Sequence, residues 1–338
     1  MSEPGEKAAS TFDLHERAPE VAIYVSYGME NLVDYLRAQK AIGEVVSVPL
    51  REVPGFPAIS RTGRGAELCF GLSLVGHAAA VVFLKGNALE SFNCEEGVFV
   101  AQLLSLLGVQ KIVHTFFVAS SNPAIRTDTV HIVGDATDFT TVAPVAHVHH
   151  QPQYMSTTLF NSNVSDLEEL LLAFRFAGQG DTSRPLHYAH ILGPSFPTRA
   201  EVTLASMCGI DLVGITSLSL VYAARSLGVD VVGVAGVSHE SGEDPLPDAS
   251  YVLWKKMRTV VVALLRGNFF PKHRSERDAK VRIQTPAAAR KLVDEVMASI
   301  EAAPSAAAVV VAGDRHNHTH CINRQVRRRK KEKREESG

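Results

Sequence analysis

Residues 193–239 read GPSFPTRAEVTLASMCGIDLVGITSLSLVYAARSLGVDVVGVAGVSH. A Gly193-Pro194 loop opens the stretch, and two strand–helix alternations follow, each closed by a glycine. Thr198 stands three residues before Glu201, the spacing at which two side chains reciprocally satisfy the free amides of a helix start. Gly209 follows where a left-handed cap is easiest for glycine. The spacing then predicts a short apolar strand over 212–216, a helix over 217–227 capped by Gly228, and a strand over 230–237. Elements in this order form a buried sheet with helices on its faces.

The chain around this stretch has 338 residues, 46% hydrophobic and 21% charged, enough to bury one large core or two smaller ones. A formal net charge of −2 provides no global attraction to nucleic acid or to an anionic membrane. Charge is uneven, however: residues 314–338 carry nine Lys/Arg against four Asp/Glu. Cys69, Cys94, Cys208 and Cys321 are scattered, a pattern of buried free thiols in a reducing compartment rather than disulfides. Residues 1–20 lack the apolar core of a secretory signal. The apolar run 303–313 is too short to span a bilayer. A cytoplasmic protein without membrane contact is expected.

Residues 1–18 read as a leader, 19–302 as one folded domain, and 303–338 as an Ala/His-rich and then basic disordered tail. Within the domain, strands are expected over 20–27, 68–74, 78–85, 111–118 and 130–134, with 68–85 forming a hairpin about Val75-Gly76. Helices are expected within 28–39 and over 95–107, 166–177, 251–265 and 286–302, with a long His- and Pro-rich loop from Phe139 to Gln153.

Two runs in the opening stretch carry a resemblance. Gly193-Pro194-Ser195-Phe196-Pro197-Thr198-Arg199-Ala200-Glu201 and Gly209-Ile210-Asp211-Leu212-Val213-Gly214-Ile215-Thr216 follow a known pattern. That pattern is Gly-Pro-x-Phe/Tyr-x-Ser/Thr-x-Ala-Glu, then Gly-Ala-Asp-x-Ile/Val-Gly-Met-Ser/Thr. The chain thus resembles the purine nucleoside phosphorylase and methylthioadenosine phosphorylase family. The likeness weakens outward over 20–265. It implies an α/β three-layer sandwich around a central mixed, partly barrel-like sheet. It also implies phosphorolysis of a purine nucleoside through an oxocarbenium-like transition state, with inorganic phosphate as co-substrate and no other cofactor. Such chemistry needs a held phosphate, a ribose clamp and hydrogen bonds to the departing purine, all set in place beforehand.

The family holds phosphate with a glycine-rich loop after the first strand, a Gly-Arg-x-His run, and amides after the central strand. Small turns let amides approach oxygen, and arginine adds a charged fork. The corresponding loop here is Ser26-Tyr27-Gly28-Met29-Glu30. The Gly-Arg-x-His run has become Gly86-Asn87-Ala88-Leu89, and the amide segment reads Phe116-Phe117-Val118-Ala119-Ser120-Ser121. Thr216 keeps the hydroxyl of the pattern. The phosphate-site positions are therefore Ser26, Tyr27, Gly28, Asn87 and Thr216, with Lys85 a further cation nearby. Each lost charge-assisted contact costs about 1.5–3 kcal/mol.

The resemblance places the nucleoside pocket at Tyr188, Ser195, Phe196, Pro197, Ile215 and His239. Pro197 stands where the purine branch has a glutamate that binds the base, and Ile215 where a methionine packs on the sugar. His239 takes the place of an Asn or Asp that assists the leaving purine, and is the candidate catalytic residue. A histidine there can hydrogen-bond N7 or act as a general acid near neutral pH; a strand-end histidine satisfied by backbone is the alternative.

The clusters His147/His149/His150 and His316/His318/His320/Cys321 contain metal-competent side chains, but no metal site is expected from them. The run 327–334, RRRKKEKR, reads either as a solvated tail or as a nuclear-localisation or RNA-contacting patch. The expected function is a catalytically degenerate family member acting as a binding or structural subunit. An active divergent phosphorylase or nucleosidase, and a nucleic-acid-associated scaffold, are the alternatives. A purine nucleoside is the expected ligand, and a homo-oligomer (a trimer by resemblance) or a larger assembly the expected partner.

Overall fold

The computed structural model describes residues 21–25, 29, 31–49, 67–73, 80–85, 94–140, 159–160, 164–176, 184–192, 196–216, 218–240 and 250–266. Nine strands, β1 (Val21–Val25), β2 (Ile42–Pro49), β3 (Glu67–Ser73), β4 (Ala80–Lys85), β5 (Lys111–Ser120), β6 (Val130–Asp138), β7 (Leu186–His190), β8 (Leu212–Gly214) and β9 (Asp230–His239), form one sheet among these residues. Their order is β2-β3-β4-β1-β5-β8-β7-β6-β9, and β9 also pairs with β5. That extra pairing closes β5, β8, β7, β6 and β9 into a ring, the partly barrel-like mixed sheet. β1 lies parallel to β4 and β5, while β3 runs antiparallel to β2 and β4.

The helices are α1 (Leu32–Ala38), α2 (Cys94–Leu106), α3 (Val164–Phe176), α4 (Arg199–Met207), α5 (Ser219–Ser226) and α6 (Tyr251–Arg266). Strands that are apolar along their whole length need cover on both faces. In β5 only Phe117 is less than fully buried. One face packs Tyr24, Phe116, Tyr188 and Val237 against α2 and α5. The other packs Ile23, Val113, Val232 and Val234 against α1, α3 and α6. α4 covers a smaller cluster of Ala189, Ile191 and Val213.

Local signals worked as their chemistry requires. Thr198 Oγ1 accepts from Glu201 N at 3.3 Å, and Glu201 Oε2 accepts from Thr198 N at 2.7 Å, the reciprocal capping box that starts α4. Gly209 and Gly228 adopt φ of +74° and +77°, conformations glycine enters without a Cβ penalty. The hairpin strands β3 and β4 pair as expected; their connection lies outside the described residues.

Three expectations need correction. β6 continues to Asp138 rather than ending at 134, because its second half pairs with β7. The strand over 212–216 ends at Gly214. Cys208, expected to be buried, is exposed just beyond α4, whereas Cys69 is buried in β3. Strands β2 and β7 carry too little apolar alternation to announce themselves in the sequence. The leader, the 286–302 helix, the 303–338 tail and the His147–His150 cluster lie outside the described residues. Among the described residues no helix is long and apolar enough to cross a membrane.

Candidate functional site

His239 closes β9, is 8% exposed, and owes its setting to an irregularity in strand pairing. Val237 pairs with Val118 and His239 with Ala119, so Ser238 is an extra residue on β9. A bulge of this kind bends the strand and re-aims its side chains. Ser238 Oγ donates to Val118 O at 3.1 Å and lies 2.9 Å from His239 Nδ1. The next residue, Glu240, accepts from Thr127 N at 3.2 Å and from Arg126 Nη1 at 3.3 Å, which ties the loop after β5 to the end of β9. Across from the imidazole stands Phe196, in the segment just before α4. The two rings meet edge to face at 90° with centroids 6.1 Å apart. Phe196 is 48% exposed, so the aromatic surface before the capping box remains open to stacking. Pro197 beside it is half-buried.

A second group gathers at the end of β8. Tyr188 is fully buried, packs on Phe116 with centroids 5.1 Å apart, and donates its hydroxyl to Thr216 O at 2.8 Å. Burial, then the nearby Asp138 charge, push its phenol well above the ordinary value, against the pull of that hydrogen bond. Gly214 permits this packing: a Cβ there would lie 3.2 Å from Tyr188 Cε2 and 3.3 Å from Val118 Cγ1. Ile215 and Thr216 are half-buried beyond the strand end.

Between the two groups lies the end of β5, where polar groups are committed internally. Ser120 Oγ donates to Asn122 O and Ser121 Oγ to Ile210 O, each at 2.7 Å. Ser121 N bonds Asp211 O at 2.9 Å, and Asn122 N bonds Ser120 Oγ at 3.2 Å. The buried Asp211 carboxylate anchors the group. It accepts from Arg184 Nη1 and Nη2 at 2.9 and 2.7 Å, Asn122 Nδ2 at 2.9 Å and His187 N at 3.1 Å. Burial works to raise this carboxyl, but these donors outweigh it and hold it below the ordinary range.

The described architecture and these residues can be set beside known proteins. The model of the phosphorylase superfamily matches residues 22–266. The chain belongs to that superfamily. It is a divergent member of the nucleoside phosphorylase family. The mouse purine nucleoside phosphorylase is 25% identical over 231 residues, covering 67% of this chain and 77% of the relative. Purine nucleoside phosphorylase 1 of Bacillus subtilis is 23% identical over 225 residues, covering 66% and 79%. Among solved structures, the purine nucleoside phosphorylase of Schistosoma mansoni in complex with acetate superposes with a TM-score of 0.61 at 20% identity. It covers 76% of this chain and 92% of its own. The same enzyme in complex with adenosine also gives 0.61, at 20% identity, with 76% and 93% covered. These structures share the fold.

In this nucleoside phosphorylase framework, the expected site residues divide into two pairs. Phe196 meets His239 at the end of β9, and Tyr188 of β7 meets Thr216 just beyond β8; β8 and β9 both pair with β5. Ser26, Tyr27, Gly28, Asn87 and Ser195 lie outside the described residues, as do the side chain of Lys85 and the 316–321 cluster.

Sequence reasoning missed three polar features. Ser238 gave no signal, because a bulge depends on the partner strand. At the ends of β6 and β7, His190 Nδ1 donates to Asp138 Oδ1 at 3.1 Å, and both residues are largely buried. Asp138 Oδ1 also accepts from Thr140 N at 2.9 Å and Thr140 Oγ1 at 2.6 Å. Burial opposes ionisation of Asp138, but the bonds from His190 and Thr140 prevail and its pKa is lowered. Within β5, His114 lies against Tyr24 and Phe116 at centroid distances of 5.1 and 4.9 Å. Among the described residues neither of its nitrogens has a hydrogen-bond partner. Burial lowers its pKa to about 3.

Proposed function

We propose that this chain is a catalytically degenerate nucleoside phosphorylase that binds a purine nucleoside or base beside Phe196 and His239 without phosphorolysis. One observation carries the reading: the hydroxyls of Ser120 and Ser121 and the amides of Ser121 and Asn122 already have protein partners at the end of β5. A phosphate dianion needs donors that point at it and are otherwise free. Phe116 and Val118, both buried, further occupy the segment that the family keeps small. Two lost charge-assisted contacts correspond to a roughly hundred- to ten-thousand-fold weaker hold on phosphate.

The test is direct. Purified protein is incubated with phosphate and inosine, adenosine or methylthioadenosine, and ribose 1-phosphate is assayed. The expected outcome is no product, with a thermal shift on adding nucleoside but none on adding phosphate. Robust turnover of any of the three overturns the reading.

The placement of His239 against Phe196 favours a second reading, a divergent phosphorylase or nucleosidase in which His239 protonates the leaving base. It predicts that His239→Ala abolishes turnover while the thermal midpoint hardly moves. For assembly, the family resemblance favours a homotrimer, and the scattered cysteines favour the cytoplasm; a monomer mass by light scattering would exclude the trimer.

A further inference from the structure

Helix α6 carries a basic and aromatic face that shares no residue with the Phe196–His239 pair. Tyr251, Lys255 and Arg258 recur along it at helical spacing. The Arg258 guanidinium lies in a corner made by two rings. Its Cζ is 4.1 Å from the ring centroid of Tyr35, on α1, and 4.1 Å from that of Trp254. The two rings meet edge to face at 70°, with centroids 6.0 Å apart, so they hold the guanidinium from two sides at close to a right angle. Tyr251 adds a third ring, 5.9 Å from Cζ, and is 71% exposed.

Aromatic contact fixes the plane of the guanidinium fork, yet the fork grips nothing. Among the described residues no hydrogen bond or ion pair engages Arg258, and its Nε is buried without a partner. Asp34, exposed beside Tyr35, does not pair with it. Lys256 is spent on Asp128 O at 2.7 Å, whereas Lys255, exposed one turn before Arg258, has no such partner among the described residues. A preoriented fork suits an anion, and the open Tyr251 ring suits a planar group. An acidic peptide supplies only the anion. A base joined to a phosphate supplies both.

We propose that this face of α6 binds a free nucleoside 5′-phosphate, with the base stacked on Tyr251 and the phosphate held by Arg258 beside Lys255. A single nucleic-acid strand fits less well. The net charge of −2 gives no long-range pull on a polyanion, and Tyr251 is one platform where strand binders stack successive bases. The site stands apart from the purine-binding reading above and does not depend on it.

Trp254 is the only tryptophan of the chain and touches the guanidinium, so its emission reports occupancy. The full chain is titrated with AMP, adenosine, inorganic phosphate, a riboadenylate strand and a glutamate-rich peptide. AMP is expected to give a saturable change in emission, with adenosine and phosphate each bound at least about tenfold more weakly. Arg258→Gln and Tyr251→Ala should each weaken AMP binding by about tenfold or more, and Tyr251→Phe should keep the wild-type affinity. If Arg258→Gln does not fold, Tyr251→Ala, at an exposed ring, decides. Four results overturn the proposal: no response to AMP at millimolar concentration, unchanged AMP affinity in Tyr251→Ala, adenosine or the acidic peptide bound as tightly as AMP, or a strand bound more tightly per nucleotide than AMP.

Discussion

The ends of β5 and β9 lie side by side, Ala119 opposite His239, yet they use their polar groups in opposite ways. At β5 the serine hydroxyls, the amides and the Asp211 carboxylate are joined into one internal network. At β9 the imidazole stands against a half-exposed phenylalanine, and the hydroxyl of the bulged Ser238 lies 2.9 Å from its Nδ1. Neighbouring strand ends in one sheet can therefore serve different purposes. A network that engages the serine hydroxyls and the Ser121 and Asn122 amides commits those groups within the protein and holds the loops together. A bulged end sacrifices regular pairing and re-aims the side chains beside it.

The largest expected effect comes from opening the closed side. Asp211→Ala removes a buried carboxylate, 3% exposed, and strands the Asn122 amide and the His187 N–H; Arg184, 57% exposed, can turn to water. Denaturant unfolding should show a loss of about 3 kcal/mol, and a loss under about 1 kcal/mol would mean the network contributes little. The Asp211 pKa is lowered in the fold from its ordinary 3.8. Its stabilisation is therefore present above that value and lost as pH falls through the folded pKa, so Asp211→Ala should flatten the acid limb.

Deeper on the same strand, His114→Phe keeps an aromatic ring against Tyr24 and Phe116 and removes two nitrogens without partners among the described residues. A gain of about 1 kcal/mol at neutral pH is expected. The folded ring stays neutral down to about 3, whereas the unfolded ring gains a proton below 6.5. Stability is thus full above 6.5 and falls as pH drops toward 3, by up to about 1.4 kcal/mol per pH unit. His114→Phe should remove that slope between roughly pH 6 and 4, a range above the folded Asp211 transition. An unchanged slope would show that His114 is not held neutral.

The smallest effect belongs to the open side. Thr198→Ala deletes the cap just after Phe196 and should cost about 1 kcal/mol in thermal or denaturant unfolding. A cost well above that would tie the capping box to packing beyond α4.

These contrasts follow what was legible beforehand. The α4 cap, the two glycine stops and the apolar runs of β5 and β9 were readable because their chemistry acts within a few residues. The placement of Phe196 and His239 near each other was legible only through the family pattern. Strand β7, with the sequence LHYAH, was missed because its burial comes from β6 and β8 on either side. The second half of β6, Gly134-Asp135-Ala136-Thr137-Asp138, reads as a turn until β7 is there to pair with it.

The sequence alone therefore determined the alternation of elements, the helix ends and the family, since caps, left-handed glycines and hydrophobic runs are local properties. Only the tertiary structure decided that β5 and β9 close a ring, that Ser238 bulges to meet the next side chain, and that the polar groups beside Asp211 satisfy one another. The reason is physical: a hydrogen bond between strands depends on which partner arrives and in what register, and neither is written in the few residues around the donor.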